Sequence, residues 1–350
     1  MRIALVDPPA YTPPYDRALA AALAQAGADV ELLTSRFRFG TLVAPDGYEL
    51  REVFYPLSSR IDRPRPRWVV KALEHPLGLA RLSRLDADVV HLQWSTLPEV
   101  DRWLLRTRTP LVFTAHDLLP RRTAHRTALW RALFARFDRV IVHSASGRSK
   151  LAGFGVDEGK LRVVPHPVFP SAVDRRDDGR TALVLGLIRP YKGLGDSIEA
   201  VRRVEGARLL VAGDARVPLE PYRAAAGGLA SWRLGWLSPA DIADALAQAT
   251  VALFPYRPEI DQSGALLQAL GAGVPAVVYD VGGIAEPVRT FGAGSVVAPG
   301  DLDGFAAALR TLLTDTAVLA AAREGAERAR SALTWDAAAA AHLAVYEELL

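Results

Sequence analysis

Short apolar runs alternate with helical segments along this sequence, and the alternation occurs in two series. Residues 2–7 form an apolar run, residues 15–26 a helical segment and residues 29–34 the next apolar run. Strand, helix and strand in this order are typical of a parallel sheet covered by helices. The strands predicted in this way are residues 2–7, 29–34, 50–54, 88–92, 111–115, 140–143 and 161–164 in the first series, and 182–185, 208–211, 232–234, 251–254, 276–279 and 295–297 in the second.

A proline-rich segment separates the two series. Residues 165–170 read Pro-His-Pro-Val-Phe-Pro, and residues 174–180 are mostly charged, which is typical of a stiff and then solvated linker. We therefore predict an α/β protein of two doubly wound, Rossmann-like domains, residues 1–168 and 169–333, followed by a C-terminal helix over residues 334–350. Ligands of such sheets bind at the carboxyl ends of the strands, and a hinge between two such domains predicts a cleft.

Composition excludes several kinds of site. The 350 residues include no cysteine, which excludes disulfides, thiol catalysis and cysteine-based metal sites. No uncharged apolar stretch reaches the roughly 18 residues of a membrane span, and the apolar run at the N-terminus is too short for a signal peptide. A cytoplasmic protein is the simplest expectation.

Charge is distributed unevenly along the chain. Residues 1–170 contain 25 Lys and Arg against 17 Asp and Glu, whereas residues 171–350 contain 17 against 22. A basic first half predicts an anionic partner for that half. Within it, residues 60–84 mix cationic side chains with Trp68 and Leu73. This mixture fits either contact with an anionic membrane surface or a solvated helix that packs on the core.

A candidate anion site lies where small residues follow a strand. After the strand 251–254, Ser263, Gly264 and Ala265 open a short helix. The N-terminus of a helix presents unpaired backbone N–H groups and the positive end of the helix dipole, so phosphate is the expected ligand. Gln268 lies one turn into this helix, on a face that reaches past a bound phosphate. The alternative is a helix that joins two strands without binding a ligand.

The loop after the first strand of the second series carries two cations. Residues 186–193 read Gly-Leu-Ile-Arg-Pro-Tyr-Lys-Gly and lead into a helix. Arg189 and Lys192 would neutralise the charge that builds on a diphosphate leaving group as the bond to it breaks. Two solvated loop cations are the alternative, and the pairing with the turn at Ser263 and Gly264 favours the phosphate site.

Histidines end several predicted strands. His116 follows the strand 111–115 at a carboxyl end, where it could hydrogen-bond a substrate hydroxyl and where Asp117 could orient it. An isolated histidine is more often structural. For His143, at a strand end, and His166, between two prolines, a structural role is the stronger interpretation.

Other short patterns fail in their context. Residues 271–276 fit the dinucleotide pattern G-x-G-x-x-A, but they follow a helix and precede a strand, the reverse of what that pattern requires. Asp86 and Asp88 are spaced like a metal-binding pair, yet they precede a strand and so lie at the wrong end of the sheet. Because the histidines are also too scattered for zinc, no metal site is predicted.

Together these motifs resemble those of the family 4 retaining glycosyltransferases, which have the GT-B fold of two Rossmann-like domains. The resemblance runs from the first strand to the C-terminal helix. Its anchors are the loop 186–193, the helix 263–275 with its A-x-x-x-G-x-P ending, and Gly282-Gly283 with Glu286. The supporting features are residues 114–117, residues 164–167 and Thr334-Trp335.

The resemblance implies a donor site in the second domain. The family's paired glutamates, eight residues apart, correspond here to Ile260 and Gln268. Glu259 or Asp261 would replace the first of them after a small register shift, and Glu286 would support the loop after its strand. The implied binding residues are Arg189, Lys192, Ser263, Gly264 and Ala265 for the diphosphate, Gln268 for the ribose, and Trp236 and Leu237 for the base.

In the first domain the resemblance implies that His116 contacts the transferred sugar, with Asp117 beside it. The first loop, residues 8–15, has no glycine where many relatives bring the backbone close to the phosphate. Its Tyr11, Thr12 and Tyr15 are therefore candidates for contacts with donor or acceptor. The last helix is expected to cross back to the first domain.

The function predicted from this resemblance is transfer of a sugar from a nucleoside-diphosphate sugar to a hydroxyl of a glycan, glycolipid or small molecule. Retention of configuration is expected, with no metal and no cofactor besides the nucleotide-sugar co-substrate. The expected partners are the donor, a sugar, lipid-linked or small-molecule acceptor, and an anionic surface at the inner face of the plasma membrane, but not nucleic acid. The alternatives are a catalytically silent relative that serves as a nucleotide-sugar-binding partner subunit, and a sugar-nucleotide epimerase of the same fold.

Overall fold

The chain forms two compact units. The computed structural model describes residues 1–40, 42–120, 123–257 and 261–350. Unit 1 comprises Met1–Pro165 together with Trp335–Leu350, and unit 2 comprises His166–Thr334. The chain therefore leaves unit 1 within the proline-rich segment and returns to it at the last helix.

Unit 1 contains a parallel sheet of seven strands in the order β3-β2-β1-β4-β5-β6-β7. The strands are β1 (Arg2–Asp7), β2 (Asp29–Ser35), β3 (Glu49–Phe54), β4 (Val89–Leu92), β5 (Leu111–Thr114), β6 (Arg139–Val142) and β7 (Leu161–Val163). The helices are α1 (Pro13–Gln25), α2 (Pro64–Leu82), α3 (Pro98–Leu104), α4 (Thr127–Phe134) and α5 (Ala145–Phe154).

The sheet of unit 1 is covered on both faces, as the continuous apolar runs predict. In β1, Ile3 and Leu5 belong to one core cluster, and Ala4 and Val6 belong to another on the opposite face. All four side chains are at most 1% exposed. Burial of a large apolar side chain contributes about 1.5–3 kcal/mol, so such a strand is fixed from both sides.

Unit 2 contains a parallel sheet of six strands in the order β10-β9-β8-β11-β12-β13. The strands are β8 (Thr181–Leu185), β9 (Arg208–Gly213), β10 (Ala230–Leu234), β11 (Val251–Phe254), β12 (Ala276–Tyr279) and β13 (Gly294–Val297). The helices are α6 (Leu194–Arg202), α7 (Glu220–Ala226), α8 (Pro239–Gln248), α9 (Gly264–Gly271), α10 (Ala285–Phe291), α11 (Leu302–Thr314) and α12 (Thr316–Ala332). The predicted α/β class with two parallel sheets is confirmed, and each predicted strand is found within two residues of its expected bounds.

The last helix, α13 (Trp335–Glu347), packs against α1 in unit 1. The hydroxyl of Tyr346 is hydrogen-bonded to Nδ1 of the buried His91 at 2.7 Å. Arg162 Nε donates to Glu348 at 2.9 Å, just beyond the helix. One end of this helix is therefore tied to the sheet by polar as well as apolar contacts.

In the part of the chain that the structure describes, no single helix has the length and apolar composition of a membrane span. α11 and α12 meet those criteria only when taken together, across a bend of 98°.

Candidate active site

In unit 2, the loops after β8 and β9 come into close contact at the carboxyl ends of these strands. A Cβ at Gly213 would lie 1.9 Å from the carbonyl oxygen of Gly186, so the glycine permits an approach that a side chain would prevent. The backbone N–H of Ile188 donates to the carbonyl of Asp214 at 2.8 Å. These contacts fix the loop 186–193 that the sequence marks as a candidate phosphate site.

Lys192 places a buried ammonium group beside this loop. The residue is 9% exposed, and its Nζ donates to the carbonyl oxygen of Leu185 at 3.4 Å. The same Nζ lies 5.3 Å from the centre of the Tyr256 ring. Among the described residues, no carboxylate forms an ion pair with it. A buried charge is costly unless it is paired, so Lys192 is suited to hold an anionic ligand.

Ser263 caps the N-terminus of α9. Its Oγ accepts a hydrogen bond from the backbone N–H of Leu266 at 3.3 Å and lies 3.2 Å from the hydroxyl of Tyr256. The N–H groups of Gly264 and Ala265 belong to the first turn, where a helix offers no acceptor of its own. These two groups and the positive end of the helix dipole lie where the sequence predicts an anion site.

The ammonium group and the helix N-terminus converge at Gly186. A Cβ built there would lie 3.3 Å from Lys192 Nζ and 3.6 Å from the Cβ of Ala265. Arg189, the third predicted phosphate ligand, is exposed on the same loop, and its carbonyl oxygen accepts a hydrogen bond from Lys192 N at 3.0 Å. The elements predicted to bind a diphosphate are therefore neighbours in unit 2.

A cavity begins at the same place and extends along the strand ends. Gln268, Trp236 and Leu237, predicted to bind ribose and base, all line it. The remaining lining residues are Leu185, Gly186, Leu187, Gly213, Asp214, Gly235 and Ile242. A mostly apolar cavity with a few polar groups beside an anion site has the composition expected for a nucleotide.

The loop before α9 is joined to the turn after β12. The backbone N–H of Gly283 donates both to the carbonyl oxygen of Asp261, at 2.9 Å, and to its carboxylate, at 3.0 Å. Asp261 is thus a supporting residue of this loop, and Glu286 lies in the first turn of α10. The predictions for Glu259 and Ile260 fall outside the described residues.

In unit 1, His116 lies just beyond the end of β5 within a group of aromatic rings. Trp94 stacks on it with ring centres 5.4 Å apart, and the edge of Tyr15 meets it at 4.7 Å. Tyr11 in turn contacts Trp94 at 5.4 Å. The predicted His116 and the first-loop residues Tyr11 and Tyr15 are therefore brought together around Trp94.

The ring nitrogens of His116 are held by two residues for which the sequence predicts no such role. Nε2 lies 2.9 Å from Gln93 Oε1, and Nδ1 lies 3.3 Å from Nε2 of His143. His143 Nδ1 donates to the carbonyl oxygen of Val164 at 2.9 Å, and burial lowers the pKa of His143 to about 4. His143 is therefore neutral with its proton on Nδ1, so its Nε2 accepts the proton on Nδ1 of His116. Gln93 and His143 thus contact both ring nitrogens, and Asp117, which the sequence predicts to orient the ring, is exposed.

Thr12 is fixed by two buried carboxylates. Its backbone N–H donates to Asp7 at 3.3 Å, its hydroxyl donates to Asp16 at 3.2 Å, and it accepts a hydrogen bond from Trp94 Nε1 at 2.8 Å. Burial raises the pKa of Asp7 to about 6, and burial together with the charge of Asp7 raises the pKa of Asp16 well above its ordinary value. Two adjacent buried carboxyls cannot both ionise readily, so one proton is retained between them.

Among the described residues, no group of three or more His, Asp or Glu side chains has the arrangement needed to hold a metal ion.

Two family descriptions match the sequence, one in each half. Residues 17–171 match Glycosyltransferase Family 4, and residues 179–315 match Glycosyl transferases group 1. The chain belongs to the family 4 glycosyltransferases. The glycosyltransferase activity and the family predicted from the sequence motifs are thereby confirmed.

Solved structures of the same fold cover the whole of this glycosyltransferase. Sucrose-phosphate synthase from Thermosynechococcus elongatus is 20% identical with a TM-score of 0.77, over 100% of this chain and 99% of that one. A glycosyltransferase from Rickettsia africae ESF-5 is 15% identical with a TM-score of 0.72, over 99% and 98%. HepE from Anabaena, solved in complex with UDP-glucose, is 16% identical with a TM-score of 0.69, over 100% and 99%. The curated protein sequences include no match. These structures confirm the GT-B fold.

Sequence reasoning about this glycosyltransferase missed Gln93, His143, Asp7 and Asp16 as parts of the candidate site. Asp7 and His143 end or follow strands, and Asp16 lies in the first turn of α1. A polar residue at the carboxyl end of a buried parallel strand was the available signal, because that edge carries the ligand sites of such sheets.

Proposed function

We propose that this glycosyltransferase moves a sugar from a nucleoside-diphosphate sugar to a hydroxyl acceptor, with retention of configuration and without a metal ion. The observation that carries the proposal is the convergence of Lys192, the N-terminus of α9 and the cavity at Gly186. That arrangement supplies positive charge for a diphosphate next to space for a nucleoside. The binding of UDP-glucose by HepE, a structural neighbour, supports a uridine nucleotide as the donor.

The chemistry we assign to unit 2 is stabilisation of the leaving group. As the bond between the sugar and the diphosphate breaks, negative charge builds on the phosphate oxygens. Lys192, Arg189 and the first N–H groups of α9 are charged or polarised before the reaction begins, so they need little rearrangement to meet that charge. We propose that these groups do the work that a divalent metal does in other transferases.

We assign His116 to the transferred sugar. Both of its ring nitrogens face acceptors, Nε2 of His143 and Oε1 of Gln93. The Nε2–H group would therefore donate a hydrogen bond to a sugar hydroxyl oxygen in place of the bond to Gln93. Trp94 and Tyr15 hold the plane of the ring. His116 would therefore position the sugar, and its contribution to the rate would come from orientation.

The test of the donor site compares ribose-containing and ribose-free ligands. We expect Gln268→Ala to weaken the binding of UDP about tenfold, as for the loss of one or two hydrogen bonds, and to leave the binding of inorganic pyrophosphate unchanged. Isothermal titration calorimetry on the full chain measures both, with Gln25→Ala as the matched control. Equal loss of UDP and pyrophosphate, or no loss of either, would contradict the ribose assignment.

Turnover assays decide between this function and its alternatives. With UDP-sugars and other nucleoside-diphosphate sugars, we expect release of the diphosphate and formation of a glycosylated product with the anomeric configuration of the donor. A purified chain that binds donors and transfers nothing would favour the partner-subunit alternative. A changed sugar nucleotide in the absence of acceptor would identify an epimerase.

We further propose that the protein is cytoplasmic and that α2 contacts an anionic membrane surface. Trp68, Val69, Leu73 and Leu77 project from this helix with 54–71% of their surface exposed. The first turn of the same helix carries the exposed cation Arg65. Exposed apolar side chains beside cations are typical of helices that lie in a membrane interface.

Vesicle sedimentation tests this contact. We expect the protein to bind vesicles that contain anionic lipid at low salt, and Trp68→Ser with Leu73→Ser to weaken that binding more than tenfold through loss of apolar burial. Trp103→Ser, which removes an equally exposed tryptophan from α3, is the control. Unchanged retention of the double variant, or no retention of the unaltered protein, would overturn the proposal.

A further inference from the structure

A second concave site lies in unit 1, at the carboxyl ends of β1, β2 and β3. It lies between the first loop, the residues that follow β2 and the N-terminal half of α2. The residues on which the inference rests are Arg36, Phe37, Arg38, Tyr55, Arg67 and Lys71. The donor site proposed for unit 2 uses none of them.

The lining of this pocket carries an excess of positive charge. Its described residues include four cations and no Asp or Glu. Arg38 pairs with Asp62, which is itself exposed. In the part of the chain described here, Arg36, Arg67 and Lys71 have no carboxylate within ion-pair distance. Three cations that face a common space without counter-ions repel one another, and a bound anion would remove that cost.

The position of Lys71 shows the electrostatic cost of a cation without a counter-ion. Its Nζ lies 4.4 Å from the centre of the Tyr55 ring and 5.8 Å from that of Tyr11. Burial, with a further contribution from Arg67, lowers the pKa of Lys71 to about 8, although the charge of Asp7 acts in the opposite direction. The ammonium group is thus held in a partly desolvated position where its positive charge is poorly compensated.

The wall of the pocket is rigid. Tyr55 has a backbone φ of +54°, and its hydroxyl donates to Nδ1 of His75 at 2.6 Å. Nε2 of His75 in turn donates to the buried carboxylate of Asp101, which also accepts a hydrogen bond from Ser95 at 2.6 Å. This chain of buried groups fixes the ring that lies beneath Lys71. The pocket is therefore pre-organised rather than a loose group of surface cations.

A series of aromatic contacts connects this pocket to His116. Tyr11 lies beside Lys71 and contacts Trp94, and Trp94 stacks on His116. All of these residues belong to unit 1. A ligand anchored at Arg67 and Lys71 would extend along Tyr11 toward the residue that we assign to the transferred sugar.

We propose that this pocket binds the phosphate ester of the acceptor substrate, an inference that rests on the proposed function. Arginine guanidinium groups pair with two phosphate oxygens at once, and the ammonium group adds a point charge. The phosphate belongs either to a free sugar phosphate or to the headgroup of a lipid-linked acceptor.

Binding of inorganic phosphate tests the pocket without any turnover. We measure it by calorimetry on the full chain carrying Lys192→Ala, so that the donor site contributes little. We expect Arg67→Ala or Lys71→Gln to weaken phosphate binding about 10- to 100-fold, as for the loss of one charge-assisted hydrogen bond. Arg81→Ala, in the last turn of the same helix and outside the pocket, is the control. Phosphate affinity that is unchanged by both pocket variants would overturn the proposal.

Transfer assays identify the source of the phosphate. With an accepted sugar phosphate, we expect Arg67→Ala to raise the acceptor KM about tenfold or more, with little change in the donor KM and none for the unphosphorylated acceptor. If only acceptors presented in vesicles show this dependence, the phosphate is that of a lipid headgroup. Equal effects on phosphorylated and neutral acceptors would contradict the proposal. The two proposals can fail separately. If the pocket variants lose phosphate binding but the unaltered protein transfers no sugar, the phosphate site is supported and the proposed function is rejected.

Discussion

Replacement of Lys192 by Ala is expected to lower kcat for sugar transfer about 100- to 1000-fold, the usual effect of removing one group aimed at developing charge. Lys192 is the buried cation of the donor site, and its Nζ lies where Gly186 and Ala265 come together. Each factor of ten corresponds to about 1.4 kcal/mol of lost transition-state stabilisation. The loss should exceed that of Arg189→Ala, because Arg189 is exposed and its charge is screened by water.

Three comparisons make this prediction specific. Lys192→Arg, which keeps the charge, should recover part of the rate. Lys150→Ala, at an exposed lysine of unit 1, should leave the rate unchanged. Thermal unfolding of each variant checks the fold. If Lys192→Ala unfolds like the unaltered protein and transfers sugar at a similar rate, the diphosphate assignment is wrong.

Replacement of His116 by Ala is expected to lower kcat about 100-fold while UDP binds as before. The reason is that His116 belongs to unit 1 and is assigned to orient the sugar, whereas the nucleotide cavity belongs to unit 2. Steady-state kinetics and UDP calorimetry on the same preparation separate the two effects. His125→Ala, at an exposed histidine, is the control.

The neighbour of His116 provides a second readout. His143→Phe would remove the acceptor that faces Nδ1 of His116, so the proton on that nitrogen would no longer be held. We therefore expect the pH profile of kcat to change in this variant, which a merely structural role for His143 would not produce. A His116→Ala variant with unaltered kcat would reject the assignment of the sugar contact.

The sequence predicts those parts of the fold and candidate site that depend on one local pattern. Each strand is a short apolar run, so the two sheets follow from periodicity. The loop 186–193 and the turn at Ser263 each follow a strand, and parallel strands bring their carboxyl ends to one edge. The meeting of Lys192 with the α9 N-terminus, and of Gln268 with Trp236, therefore agrees with the expectation.

The parts that the sequence does not predict depend on contacts between distant residues. Gln93 and His143 lie 23 and 27 residues from His116, on different strand ends, and neither belongs to a recognisable motif. The basic pocket of unit 1 is likewise assembled from three strand ends and α2. Such groups become visible only once the register of the strands is known, because a shift by one residue would turn each side chain to the other face.

The return of α13 to unit 1 has a consequence for the order in which the protein is made. The ribosome releases residues 335–350 after all of unit 2, yet Ala339 and Tyr346 belong to a core cluster that also contains Ile3 and Leu5. Unit 2 can complete its core during translation, since domains generally fold as units while the chain grows. Although most of unit 1 is synthesised before unit 2, the face that α13 covers stays open to water or to a chaperone until α13 has left the ribosome.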